Sequence, residues 1–151
     1  MKIVIGSDHA GYRLKELIKR HLAKAGYIVI DVGTFSEEPV DYPDIATAAI
    51  KKFRSEKADR AILICGTGIG MSIAANKFRG VRAALCWNVE TAMLSRLHND
   101  ANVLCLAGRI LEYETALKIL DVWFKTGFKG GRHLRRLGKI KQIENENMCE
   151  D

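Results

Sequence analysis

The sequence predicts a doubly wound α/β fold with a five-stranded parallel sheet, on three observations. Five short β-branched apolar runs recur along the chain. Stretches with helical spacing separate them. No linker, low-complexity tract or repeat divides the 151 residues, so one domain accounts for the length. Apolar strands alternating with helices imply right-handed βαβ units and a sheet covered on both faces.

Taken in order, "KIVIG" is the first strand. In "GYRLKELIKRHLAKAG", Leu14, Leu17, Ile18, Leu22 and Ala25 stand at helical spacing, and Gly26 is a stop. "YIVIDVG" is the second strand. "TFSEEPVDYPD" holds both prolines and reads as a loop into the helix "IATAAIKKFRSE". "RAILICG" and "VRAALCW" are the third and fourth strands, and "GTGIG" after the third opens a helix. "NVETAMLSRLHND" leads to the fifth strand, "NVLCLAG", and "EYETALKILDVWFKTG" and "GGRHLRRLGKIKQIEN" close the chain as helices. The acidic end "ENENMCED", residues 144–151, reads as a frayed, solvated tail beyond a domain of residues 1–143.

Composition narrows the function classes. At 48% hydrophobic and 28% charged, the chain reads as a soluble globular protein. No apolar run nears the ~20 residues of a membrane span. Asp8 and His9 interrupt the amino-terminal apolar run too early for a signal peptide, so a cytoplasmic location is expected. None of the four cysteines forms a C-x-x-C pair, which argues against structural zinc and a disulfide framework. The net charge is +6, and seven Lys or Arg residues without an acid lie between Lys125 and Lys141. That run reads as a solvated helix face or a phosphate pocket. A nucleic-acid surface is disfavoured, because the run holds one aromatic residue, Phe128, and no recognised binding motif.

In doubly wound folds ligands collect at the carboxyl ends of the strands. There "SDHAG" follows the first strand, "CGTGIG" the third, "WNVET" the fourth and "AGR" the fifth; "RLHND" closes the helix after the fourth. The glycine loop suits an anion, since its N–H groups can approach closely and a helix follows. It matches neither nucleotide motif: no Lys follows Gly70, and the spacing is G-x-G-x-G after the third strand. Cys65 at its mouth adds a thiol that can act as base or nucleophile, beside N–H groups able to hold an oxyanion. Cys86 and Cys105 read as small buried hydrophobes.

His9 adjoins Asp8 at the first strand end, and His98 ends a helix beside Asn99. Helix capping and acid–base chemistry stand level as readings of His98. Arg132 and Arg136, four apart, share a helix face that reads either as a phosphate clamp, to which Arg109 can add, or as a basic solvated face. No residue group has a metal-ligand spacing.

Together "SDHAG", "DYPD", "CGTGIGMSIAANK", "RLHNDANVL" and "GGRH" resemble, in that order, the type B ribose-5-phosphate isomerases, a family that includes allose-6-phosphate and galactose-6-phosphate isomerases. The resemblance runs from about Lys2 to Ile143. It implies a Rossmann-like αβα domain, a homodimer or homotetramer with its site at the dimer interface, no cofactor, and interconversion of ribose 5-phosphate and ribulose 5-phosphate. Carried over, Cys65 is the base that moves a proton between C1 and C2 through a cis-enediol. His98 opens the sugar ring, with Asp8, Tyr42 and Thr67 around the ring oxygens. Gly66, Gly68, Ile69, Gly70 and Asn99 hold the substrate and its enediolate, and Arg109, Arg132 and Arg136, near His9, hold the phosphate. Some relatives use a later glutamate as base; Met71 stands there in this chain. A hexose-6-phosphate isomerase and a non-catalytic phosphosugar-binding module are the competing readings.

Overall fold

The computed structural model describes residues 1–148. Five strands, β1 (Lys2–Ser7), β2 (Ile28–Asp31), β3 (Arg60–Cys65), β4 (Ala83–Leu85) and β5 (Val103–Ala107), form one sheet in the order β2-β1-β3-β5-β4, with every pairing parallel. Six α-helices join or follow them: α1 (Tyr12–Lys24), α2 (Tyr42–Ser55), α3 (Ile69–Ala75), α4 (Val89–Leu97), α5 (Tyr113–Lys125) and α6 (Arg132–Asn147). A 3-10 turn, His9–Gly11, precedes α1.

Alternation along the central strands divides the core. Ile3, Ile5, Ile62 and Ile64 face α1, α4 and α5, where Leu14, Ile18, Ile119 and Trp123 are fully or almost fully buried. Val4, Ala61, Leu63 and Cys65 face α2 and α3, against Ala49, Ile50 and Met71. Both faces are apolar because parallel strands joined by crossover helices are covered on both sides. The chain first steps from β1 to β2, then crosses back to place β3 on the other flank of β1. The resulting switch point lies between the carboxyl ends of β1 and β3, where "SDHAG" and "CGTGIG" leave the sheet.

The expected elements are present, with shifts at their ends. Helix α2 begins at Tyr42, earlier than the sequence reading, because Pro43 fits the first turn, where its missing N–H costs nothing. Gly26, at φ +81°, follows the end of α1 as expected. Residues 144–147, expected to be frayed, continue α6, and Glu144 Oε1 accepts the Gly80 N–H at 3.0 Å. Cys149 and the last two residues lie outside the described residues. No described helix is long and apolar enough to cross a membrane.

Candidate active site

The expected site residues fall into two groups at opposite edges of the sheet. The first sits over the carboxyl ends of β1, β3 and β5. Asp8 is buried; its carboxylate accepts the Gly11 N–H at 3.1 Å, while its own N–H donates to Ile64 O. His9 Nδ1 accepts the Val40 N–H at 3.2 Å, so that nitrogen carries no proton and a neutral ring carries it on Nε2. Cys65 ends β3, in register with Ala107, and the exits of β3 and β5 are stitched together: Gly108 N–H donates to Cys65 O at 2.8 Å and Arg109 N–H to Gly66 O at 3.0 Å.

The glycine loop is shaped by what it must touch. Gly68 caps α3 at φ +75°, and a Cβ there would stand 2.5 Å from Leu85 Cδ1. Gly70 lies under the ring of Tyr42, which a Cβ would meet at 2.7 Å, so glycine here admits the Tyr42 side chain onto the loop. On the other side Arg109 Nη1 lies 3.3 Å from where a Gly66 Cβ would stand, which puts a guanidinium against the loop. Thr67 Oγ1 accepts the Ile69 N–H at 3.2 Å. None of the described backbone hydrogen bonds uses the N–H of Gly66, Thr67, Gly68 or Gly70. The loop thus offers several donors beside the thiol, the arrangement that stabilises a developing oxyanion.

The second group lies at the amino edge. Helix α4 carries the chain back across the sheet, and the turn at residues 98–102 enters the start of β5. His98 follows the last residue of α4, and its N–H donates to Leu94 O at 2.9 Å. Arg96 and Arg82 hold this turn: Arg96 donates to Asp100 Oδ1 at 2.8 Å and Ala101 O at 2.7 Å, and Arg82 to Asn99 O at 3.0 Å and Asp100 O at 2.9 Å. Asp100 itself sits at φ +44°. Lys129 N–H donates to Leu97 O, so the "GGRH" segment starts beside His98. The His98 and His133 rings stack with centroids 4.2 Å apart and planes within 10°. His133 is buried, and burial, followed by the charges of His98, Arg132, Arg136 and Lys129, pushes its pKa below the ordinary histidine value. Arg132 and Arg136 flank it one turn apart on α6.

One chain does not bring Cys65 to His98. From Val103 at the amino edge to Ala107 beside Cys65, β5 spans four residue steps, about 13 Å. Among the described residues no hydrogen bond or ion pair bridges the two groups. Sequence reading put Arg109, Arg132 and Arg136 in one phosphate clamp; within a single chain Arg109 lies with the first group and the pair on α6 with the second. His133, Arg82 and Arg96 received no role from sequence. The i,i+4 spacing of Arg96 and Asp100 was the available signal for one of them.

Helix α6 stands off the body. It is tied at its start by the His133 stack and at its end by Glu144 and by Arg79, which donates to Met148 O and Asn145 Oδ1. Leu134, Ile140 and Ile143 on it are exposed. Cavities of about 460 and 590 Å³ flank it; Asn99 lines the first, and no residue of the carboxyl-edge group lines either.

Fold and site define an α/β domain that handles a small ligand over the switch point of its sheet, with a thiol and a donor-rich loop at that point. The chain belongs to the ribose/galactose isomerase family, whose model matches residues 3–140. It is 47% identical to ribose-5-phosphate isomerase B of Escherichia coli over 143 residues, covering 95% of this chain and 96% of that one. Its fold is similar to the Clostridium thermocellum ribose-5-phosphate isomerase B structure, with TM-score 0.94, 53% identity and coverage of 97% and 99%. It is likewise similar to the Mycoplasma genitalium ribose-5-phosphate isomerase B structure with bound ribulose 5-phosphate, with TM-score 0.91, 44% identity and 97% of each chain covered.

Proposed function

We propose that the protein is a ribose-5-phosphate isomerase that interconverts ribose 5-phosphate and ribulose 5-phosphate without a cofactor. The observation that carries this is Cys65 at the mouth of the GTGIG loop, in a chain matched over nearly its whole length by isomerases of that name. The Cys65 thiolate removes the proton from C2 of the open aldose. The electron pair moves toward the C1 carbonyl, giving a cis-enediolate; the O2 proton passes to O1, and the thiol returns its proton to C1 as the ketone forms at C2. The charge that builds on oxygen faces the N–H groups of Gly66, Thr67, Gly68 and Gly70. Asp8, Tyr42 and Thr67 surround the ring oxygens, and His98 moves the protons of ring opening, a task suited to an imidazole, whose two nitrogens can donate and accept. Arg109, Arg132, Arg136 and His9 hold the phosphate, and that remote binding energy orients the reacting carbons.

These roles need the two groups together, and a second copy of the chain supplies the missing one. In this dimer the amino-edge group of one protomer, with His98, Asn99, Arg132 and Arg136, meets the carboxyl-edge group of its partner. Two exposed apolar surfaces support the arrangement. One is on α6; the other is on α3, where Ile69 and Ile73, one turn apart after the glycine loop, are exposed. The test of substrate is kcat/KM on ribose 5-phosphate measured beside allose 6-phosphate. Preference for the pentose is expected; a clear preference for allose 6-phosphate overturns the pentose assignment, and absence of ketose phosphate formation from either sugar overturns isomerisation.

A further inference from the structure

Among the described residues Lys15 is the one fully buried lysine, and the chemistry above does not use it. Its ammonium has three acceptors: Asp31 Oδ1 at 2.7 Å, Asp31 Oδ2 at 2.8 Å and Thr34 O at 2.7 Å. The Phe35 ring covers it, with its centroid 4.9 Å from Nζ. Asp31 is itself fixed by Lys19, 2.6 Å away, and by the Gly33 N–H at 2.9 Å. Burial pushes the Asp31 carboxyl up, but the hydrogen bonds from Lys15, Lys19 and Gly33 and the Lys15 charge outweigh it and hold the group below the usual carboxylate range. A buried, fully satisfied charge pair of this kind is poor at adding stability but good at selecting one geometry.

The geometry it selects is that of residues 32–41, which grip the Ser7–His9 segment at both ends. At the near end Ser7 N–H donates to Gly33 O at 2.7 Å and Thr34 N–H to Ser7 O at 2.6 Å, beside the carbonyl that Lys15 holds. At the far end Val40 N–H donates to His9 Nδ1, and Tyr42 follows two residues later. We infer that Lys15 is a positioning residue of the site: by anchoring Asp31 and Thr34 O it sets the course of residues 32–41, and through Val40 it fixes the His9 ring with its Nε2–H turned to the substrate. The inference rests on the isomerase reading for the role of His9 and on geometry alone for the ring itself.

A double-mutant cycle with Lys15→Met and His9→Ala, read as kcat and KM for ribose 5-phosphate, tests the coupling. Lys15→Met is expected to raise KM about tenfold with kcat nearly unchanged, and to change KM by less than about twofold once His9 is absent. A lysine that only supports the fold gives an unchanged KM in the folded variant, or equal effects in both backgrounds; either result overturns the inference. Should Lys15→Met not fold, Asp31→Asn, which keeps the acceptor for Gly33 N–H, takes its place with the same expectations. The ¹⁵N shifts of the His9 ring read the same link without turnover. Wild type is expected to show the Nε2–H tautomer and the variant a mixture; an unchanged tautomer overturns the inference even if the protein proves to be no isomerase.

Discussion

Cys65 is nearly as buried as Cys86 and Cys105, so burial alone does not mark it out. Location does. Burial, with the neighbouring Cys65 and Cys86, pushes the Cys105 thiol well up, and burial pushes Cys86 up, which leaves both as protonated core residues. Cys65 instead ends its strand against the glycine loop. Cys65→Ala is expected to lower kcat by about 10³-fold with little change in melting temperature; near-native turnover would remove the thiol from the mechanism. The histidine stack gives a pH signature of its own. Because the native state holds the His133 pKa below that of the unfolded chain, the unfolded chain binds the extra proton first as pH falls. Stability is therefore full above about pH 6.5 and declines below it. His133→Phe keeps a ring against His98 without the proton, and urea melts between pH 7 and 5.5 should show a smaller acid loss than wild type. "GGRH" was visible in the sequence, but nothing in its spacing says that His133 meets a ring 35 positions earlier; that contact exists only once Lys129 docks on Leu97.

Among the elements, the loop into α3 carries the tightest requirement. Gly68→Ala would place a methyl in left-handed backbone and against Leu85 and the Leu106 carbonyl. A loss of about 1–3 kcal/mol is expected, together with a fall in activity; thermal unfolding at the wild-type midpoint would refute it. The strands and helices were legible because each carries its own period: apolar runs for strands buried on both faces, and three-to-four spacing for α1, α2 and α5. The sheet order was not, since every strand is apolar and nothing in an isolated run says which neighbour it takes. The direction of each helix had a consequence that sequence reading noted only in part. A helix between parallel strands returns the chain to the amino edge, so "RLHND", at the end of α4, lies at the edge away from Cys65. The same rule places the Lys15 network, which no motif announced: Lys15 and Asp31 are sixteen positions apart, and a lysine on an amphipathic helix ordinarily faces water.

For the molecule as a whole, one chain holds the two residue groups apart, and the proposed dimer is what would bring them together. The basic run has a definite place: Arg132 and Arg136 stand beside His133 on α6, where the proposed dimer would turn them toward a partner's site. The shared site is probed most directly by complementation between Cys65→Ala and His98→Asn, each expected to be inactive alone. In a heterodimer purified through two different tags, one site carries both substitutions and the other carries neither. This heterodimer is expected to isomerise ribose 5-phosphate at about half the wild-type rate per dimer. A heterodimer no more active than either parent would contradict it, because Cys65 and His98 would then have to act from the same chain.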